Sequence, residues 1–141
     1  MIDEFLTEIV GLRRAVKMFL DDRLLPYGVY GGQQLILEYL WREDGLTPGE
    51  LARRMGVETP TITRAAQRME LAGLVRRLPD PEDARLVRIF LRERGRELQA
   101  LLPAVLGTAV DEMLEGLSAE ERAELVRLLA HVRRNLAGKK S

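Results

Sequence analysis

Ten consecutive residues, T-P-T-I-T-R-A-A-Q-R, place Thr59, Thr61, Thr63, Arg64, Gln67 and Arg68 side by side. Their hydroxyl, amide and guanidinium groups offer hydrogen bonding and charge, not bond cleavage. Short hydroxyls and arginines at the start of a helix suit phosphate oxygens and base edges, and the unpaired N–H groups of a first helical turn favour a phosphate as well. Arg64 and Arg68 are four apart and so share one side of a helix. The same groups would also make an ordinary solvated face. What separates the two readings is their neighbours.

Bond-breaking chemistry finds few candidates in the rest of the chain. His131 is the only histidine and there is no cysteine, which removes disulfides, thiol switches and Cys/His zinc sets. Glu43-Asp44 and Asp80/Glu82/Asp83 are carboxylate clusters in turns, without a nucleophile or base beside them. Gly31-Gly32 lacks the Lys-Ser/Thr that a phosphate-cradling loop carries. The expectation is a protein that is not an enzyme and uses no cofactor and no metal. Charge points elsewhere. The 141 residues are formally neutral, but residues 47–96 hold eleven arginines against seven acids. That segment is +4 and the remainder −4, which favours an anionic partner at the middle of the chain.

The elements that must hold these residues follow from periodicity. Phe5, Ile9, Leu12, Val16, Phe19 and Leu20 recur at helical spacing over 3–24, and Leu6, Val10 and Met18 widen the apolar face beyond what one packing partner needs. After Pro26 and the glycines at 28, 31 and 32, a second helix is expected over about 32–43, with Leu35, Ile36, Tyr39 and Leu40 inward. Thr47-Pro48 with Glu50 reads as a capping box that opens a short helix ending at Gly56. Thr59-Pro60 repeats the cap-plus-proline start for a helix over 60–72, with Ile62, Ala65, Ala66 and Met69 on its inner face. Residues 74–78 and 86–91 then read as two strands joined by turn chemistry at 79–84. Helix returns near 92 and runs to about 116, where Pro103 should kink or restart it. Ser118 with Glu121 caps a last helix, and the tail 138–141 should fray.

Two short helices joined by a turn make a helix-turn-helix, and the following hairpin makes it winged. The fold class expected is therefore mainly α (α+β): a winged helix-turn-helix with a two-stranded wing, as one unit over 1–141. A single reading head makes few phosphate contacts, and pairing fixes two half-sites about one DNA turn apart. The broad apolar faces of the terminal helices suit that pairing. Tyr27, Tyr30, Tyr39 and Trp41 gather around the second helix, either as packing or, for Tyr27, Tyr30 and Trp41, as the lining of a cavity for an aromatic effector. The start M-I-D-E-F-L-T-E lacks the basic region of a signal peptide, and no apolar run reaches membrane-spanning length, so a cytoplasmic protein without a membrane partner is expected.

L-T-P-G-E-L-A-R-R-M-G-V, T-P-T-I-T-R-A-A-Q-R-M-E-L-A-G-L-V-R-R and D-P-E-D-A-R-L-V-R-I-F-L-R-E-R-G together resemble the MarR family of bacterial regulators. The resemblance covers nearly the whole chain, with its motifs concentrated in 46–95. It implies a homodimer whose DNA-binding part is 32–95 and whose dimerisation helices are 1–25 and 96–137. It implies double-stranded DNA as partner, a pseudo-palindromic operator, usually repression, and often release by a small aromatic or phenolic ligand. By position it makes Thr61, Thr63, Arg64, Gln67 and Arg68 the recognition residues. It makes Arg85 the wing arginine with Asp83 as its orienting partner, and sets Thr47 near the DNA backbone. Two positions depart from the pattern. Arg92 stands where threonine is common, which bears on capping, and Tyr30 stands where a small hydroxyl residue is common, which bears on the ligand. The alternative is a winged helix used for protein interaction or for non-specific, architectural DNA binding.

Overall fold

The computed structural model describes residues 2–139, and the last two positions of the expected frayed tail lie outside them. Helix α1 runs Ile2–Leu24, followed by a single 3-10 turn at Leu25–Tyr27 and by α2 at Gln33–Arg42. Then come α3, Pro48–Met55, and α4, Thr59–Leu71. Strands β1, Val75–Pro79, and β2, Val87–Leu91, pair antiparallel with Val75 opposite Leu91 and Pro79 opposite Val87. The expected long helix is broken into α5, Glu93–Glu97, a 3-10 turn at Leu98–Ala100, and α6, Leu102–Met113. Pro103 sits in the first turn of α6, where its missing N–H costs nothing, so it restarts the helix. Helix α7, Ala119–Ala137, is the last element, and among the described residues no helix is long and apolar enough to cross a membrane.

The chain divides into two compact units, Met1–Val105 and Leu106–Ser141. The first has its own core, in which Leu24, Ile36, Leu37, Leu40, Leu51, Ile62, Met69, Leu74, Ile89, Leu98 and Leu102 are fully buried. Leu37, not Leu35, is the inward leucine of α2, and Leu35 is 43% exposed. In a helix of ~100° per residue, Ile36, Leu37 and Leu40 make one stripe that leaves Leu35 at its edge. In the second unit, Arg122 on α7 donates to Asp111 Oδ1 at 2.9 Å and to the Leu117 carbonyl, which fixes the turn before α7. Ser118 and Glu121 form the expected capping box there.

Two close approaches hold the wing to the helices. A Cβ at Gly95 would lie 2.3 Å from the Leu74 carbonyl oxygen, so only glycine fits where α5 crosses the start of the wing. The Gly95 carbonyl accepts the indole N–H of Trp41 at 2.9 Å, which ties α2 to the same point. Leu46 also pairs with Ile89 as a short third strip of sheet, through Gly45 N–H to the Ile89 carbonyl and Ile89 N–H to the Leu46 carbonyl. Sequence periodicity does not show this strip, because one bridged residue has no alternation to read.

Candidate nucleic-acid interface

Helix α3 begins as expected. Thr47 Oγ1 accepts from Glu50 N–H at 3.1 Å, and Glu50 Oε1 accepts from Thr47 N–H at 3.3 Å. Thr47 is nearly buried, and its hydroxyl proton remains available to donate. Gly56 ends α3 in the left-handed conformation, with φ of 69°. Helix α4 starts differently from the expectation. Thr59 is its first helical residue, the cap position is Glu58, and no side chain caps it. Its first turn therefore keeps N–H groups for an outside acceptor.

Ile62, Ala66 and Met69 bury the inner face of α4, with Ala65 half-buried at the margin. Thr61, Arg64, Gln67 and Arg68 are exposed. Thr63 is half-buried, and its hydroxyl donates to the Thr59 carbonyl at 3.2 Å. Its proton is thus committed to the backbone, and it offers lone pairs and a methyl group outward. The expected reading residues part into two flanks. Thr59 and Thr63 line a cleft of about 410 Å³ whose other walls are Thr47, Arg53, Arg77 and Arg85. Thr61, Arg64 and Arg68 line a second cavity of about 320 Å³, which includes Lys17 of α1 and Tyr30 of the α1–α2 turn. Of the three aromatic residues considered for an effector, Tyr30 lines this cavity, and Tyr27 and Trp41 are not among its walls.

The wing explains the acids that flank its arginines. Asp83 grips Arg85 with both oxygens, at 3.1 Å to Nε and 3.2 Å to Nη2, and also accepts the Arg85 backbone N–H. Arg85 is otherwise 90% exposed, so its guanidinium is held at the tip in one orientation. Asp80 is nearly buried and organises the turn. Its Oδ1 accepts the N–H groups of Glu82 and Asp83, and its Oδ2 accepts Arg88 Nε. The Arg88 guanidinium holds the Asp80 carboxyl below its ordinary range, and the Arg85 guanidinium does the same for Asp83. On α4, Glu70 is likewise lowered, by the Arg77 backbone N–H and then by the Arg77 guanidinium, which it binds at 3.0–3.1 Å. These acids therefore pair with arginines of their own segment. Arg53, Arg64, Arg68 and Arg76 keep exposed guanidinium groups with no acidic partner among the described residues. Of these, Arg64 and Arg68 lie on the outer face of α4, Arg53 on α3 and Arg76 on β1.

Sequence reading missed Arg53, Asp80 and Arg88. Arg53 follows from helical spacing within α3 only once the cleft is known. The D-P-E-D turn does signal Asp80, since aspartate at the head of a turn commonly binds the next N–H groups. Arg92 caps α5 without any side-chain bond, so the departure there leaves the helix start to backbone groups alone.

The MarR family model matches residues 31–87. The HTH-type transcriptional regulator TtmR of Methylorubrum extorquens (strain PA1) is 34% identical over 123 residues, which are 87% of this chain and 60% of that protein. The crystal structure of the transcriptional regulator SlyA superposes with a TM-score of 0.82 at 25% identity, covering 95% of this chain and 94% of that one. A putative MarR family transcriptional regulator from Listeria monocytogenes, solved in complex with 26mer DNA, shares the fold at 21% identity and a TM-score of 0.79, over 96% of this chain and 97% of that one.

Proposed function

Because the chain belongs to the MarR family of transcriptional regulators, we propose that it works as a homodimer on a pseudo-palindromic operator and represses from it. Helix α4 would enter the major groove with Arg64, Gln67 and Arg68 toward base edges, while Arg85 reaches the adjacent minor groove, whose negative potential favours a guanidinium. The observation that carries this reading is the sorting of charge. Asp80 and Asp83 of the wing and Glu70 of α4 pair with arginines of their own segment, and Arg64 and Arg68 of α4 stay exposed and without an acidic partner among the described residues. Thr47 and Thr59 stand beside the wing in the cleft, where a backbone phosphate can accept from hydroxyl and N–H groups.

Pairing would be made by the apolar faces of the terminal helices, with Phe5, Leu6 and Val10 on α1 and Val126, Leu128 and Leu136 on α7 left exposed in the single chain. A small aromatic or phenolic ligand would release the DNA. The cavity beside Tyr30 supports this, because Arg64 and Arg68 line it and a ligand there draws on the same arginines that face DNA. The test is selection of a duplex from a random-sequence pool, followed by gel-shift at two salt concentrations against competitor DNA. One preferred palindromic sequence is the expected result. Equal binding to every sequence identifies an architectural module instead, and no binding to DNA identifies a protein-interaction module.

A further inference from the structure

Arg88 ties the turn of the hairpin to two pieces of the first unit beyond it, the loop before α3 and the cap of α3. It sits on β2 opposite Leu78, so its side chain shares a face with Asp80 two residues further along. Its Nε donates to Asp80 Oδ2. Its Nη1 donates to the Gly45 carbonyl at 2.9 Å, in the loop before α3, and lies 3.6 Å from Glu50 Oε1. That Glu50 oxygen is the one that caps α3. The cleft is lined by Arg53 and Thr63 from the helices together with Arg85 of the wing tip. The Leu46 strip and the Gly95 approach brace the base of the hairpin, but its last pair is Pro79 with Val87, and beyond that pair the turn that carries Arg85 is the end of a two-stranded ribbon, which twists and flexes readily. Something must therefore set how far Arg85 stands from α4.

We infer that Arg88, gripped by Asp80 and anchored on Gly45 and the Glu50 cap, is a positioning residue that sets the stance of the wing and so delivers Arg85 to DNA. The inference rests on the DNA-binding reading above for its consequence, but the stance itself is a property of the free protein. Arg88 is two-thirds covered, and its Nε and Nη1 are already committed to Asp80 and to the Gly45 carbonyl, so its main bonds are made within the protein. Its effect on DNA affinity must pass through Arg85. Loss of Arg88 and loss of Arg85 then remove the same interaction, and their costs do not add.

Two measurements decide the matter, each on the full chain. In the free protein, Arg88→Gln accelerates amide hydrogen exchange at Glu82, Asp83 and Leu86, while exchange in α4 stays as in the wild type. Asp80→Asn keeps the acceptor for the turn N–H groups and gives the same change more weakly. On the duplex selected by the wild type, Arg88→Gln lowers affinity roughly tenfold, the size of one lost contact of about 1.4 kcal/mol. Added to Arg85→Ala, it lowers affinity no further, and Arg88→Lys restores part of the loss. Additive losses, or unchanged exchange in the wing, overturn the proposal. If the wild type selects no sequence, the DNA-binding reading fails, and the exchange measurement still decides whether Arg88 sets the wing.

Discussion

The middle of the chain and its ends handle apolar surface and charge in opposite ways. Helices α2–α4 and the wing bury Ile36, Leu37, Leu40, Leu51, Ile62 and Ile89 in a shared core, leave Leu35, Leu71, Leu78 and Leu86 exposed at its margins, and carry exposed arginines such as Arg64 and Arg68. Helix α7 buries none of its residues, and α1 leaves Phe5, Leu6, Val10, Leu12 and Met18 between 49% and 67% exposed. A surface helix with a solved packing problem shows one covered stripe. The middle thus closes a core within one chain, while α7 closes none and α1 leaves a broad apolar face uncovered. Under the function proposed above, the first region would meet a polyanion and the second another apolar surface.

The sharpest way to break this contrast is to put a charge where the ends are apolar. Leu128→Glu should give monomers or unfolded chains in sedimentation, with a loss of several kcal/mol of association, because a carboxylate would enter an apolar interface unpaired. A folded, dimeric Leu128→Glu protein would contradict the pairing assigned to α7. Next in size is Gly95→Ala in the middle region. The added methyl meets the Leu74 carbonyl, and thermal unfolding should show a loss of roughly 3 kcal/mol. An unchanged melting temperature would show that α5 and the wing are looser than this contact requires.

Arg64→Ala and Arg68→Ala leave the fold untouched and should each cost about 1–3 kcal/mol of DNA binding, with specificity relaxed at one position, if they read bases. A uniform loss across sequences, with the salt slope reduced by about one, would reassign them to phosphates. Smaller still is the effect of the wing-tip acid. Asp83→Ala should lose a fraction of the affinity that Arg85→Ala loses, since the first frees the guanidinium and the second removes it. Equality between Asp83→Ala and wild type would leave Asp83 without a positioning role.

The smallest effect at neutral pH is that of protonation. Asp80 and Asp83 both titrate below the ordinary aspartate value of 3.8. A folded value below the unfolded one means that their ion pairs contribute in full above the ordinary value and are lost as pH falls through the folded value. Amide chemical shifts of Glu82 and Asp83 should therefore stay flat from pH 7 down to about 5 and move only below the ordinary value. A transition near pH 6 would show that these carboxylates are not held by their arginines.

Local rules carry much of this architecture. Both capping boxes, the helix end at Gly56 and the exposed face of α4 follow from spacing and turn chemistry between residues a few positions apart, which short-range hydrogen bonds and the helical repeat impose directly, while the Asp83–Arg85 pair is what the family resemblance implies. Sequence spacing puts the start of α4 one residue too late, because Thr-Pro fits both a cap and a first turn, and only backbone torsions choose between them. Leu35 and Leu37 were exchanged for a similar reason, since two leucines two positions apart compete for one stripe and the neighbouring helices select the winner.

The rest depends on residues brought together from far along the chain. The strip at Leu46 lies 43 positions from Ile89, the Trp41–Gly95 bond spans 54, and Arg88 meets Gly45 across 43. None of these has a periodic or motif signature, because long-range contacts are set by how elements pack and not by what their neighbours in sequence are. Charge shows the division most clearly. The sequence alone assigns +4 to one segment, but which arginines are neutralised and which remain for a partner is settled only when Glu70, Asp80 and Asp83 reach their arginines in the folded wing.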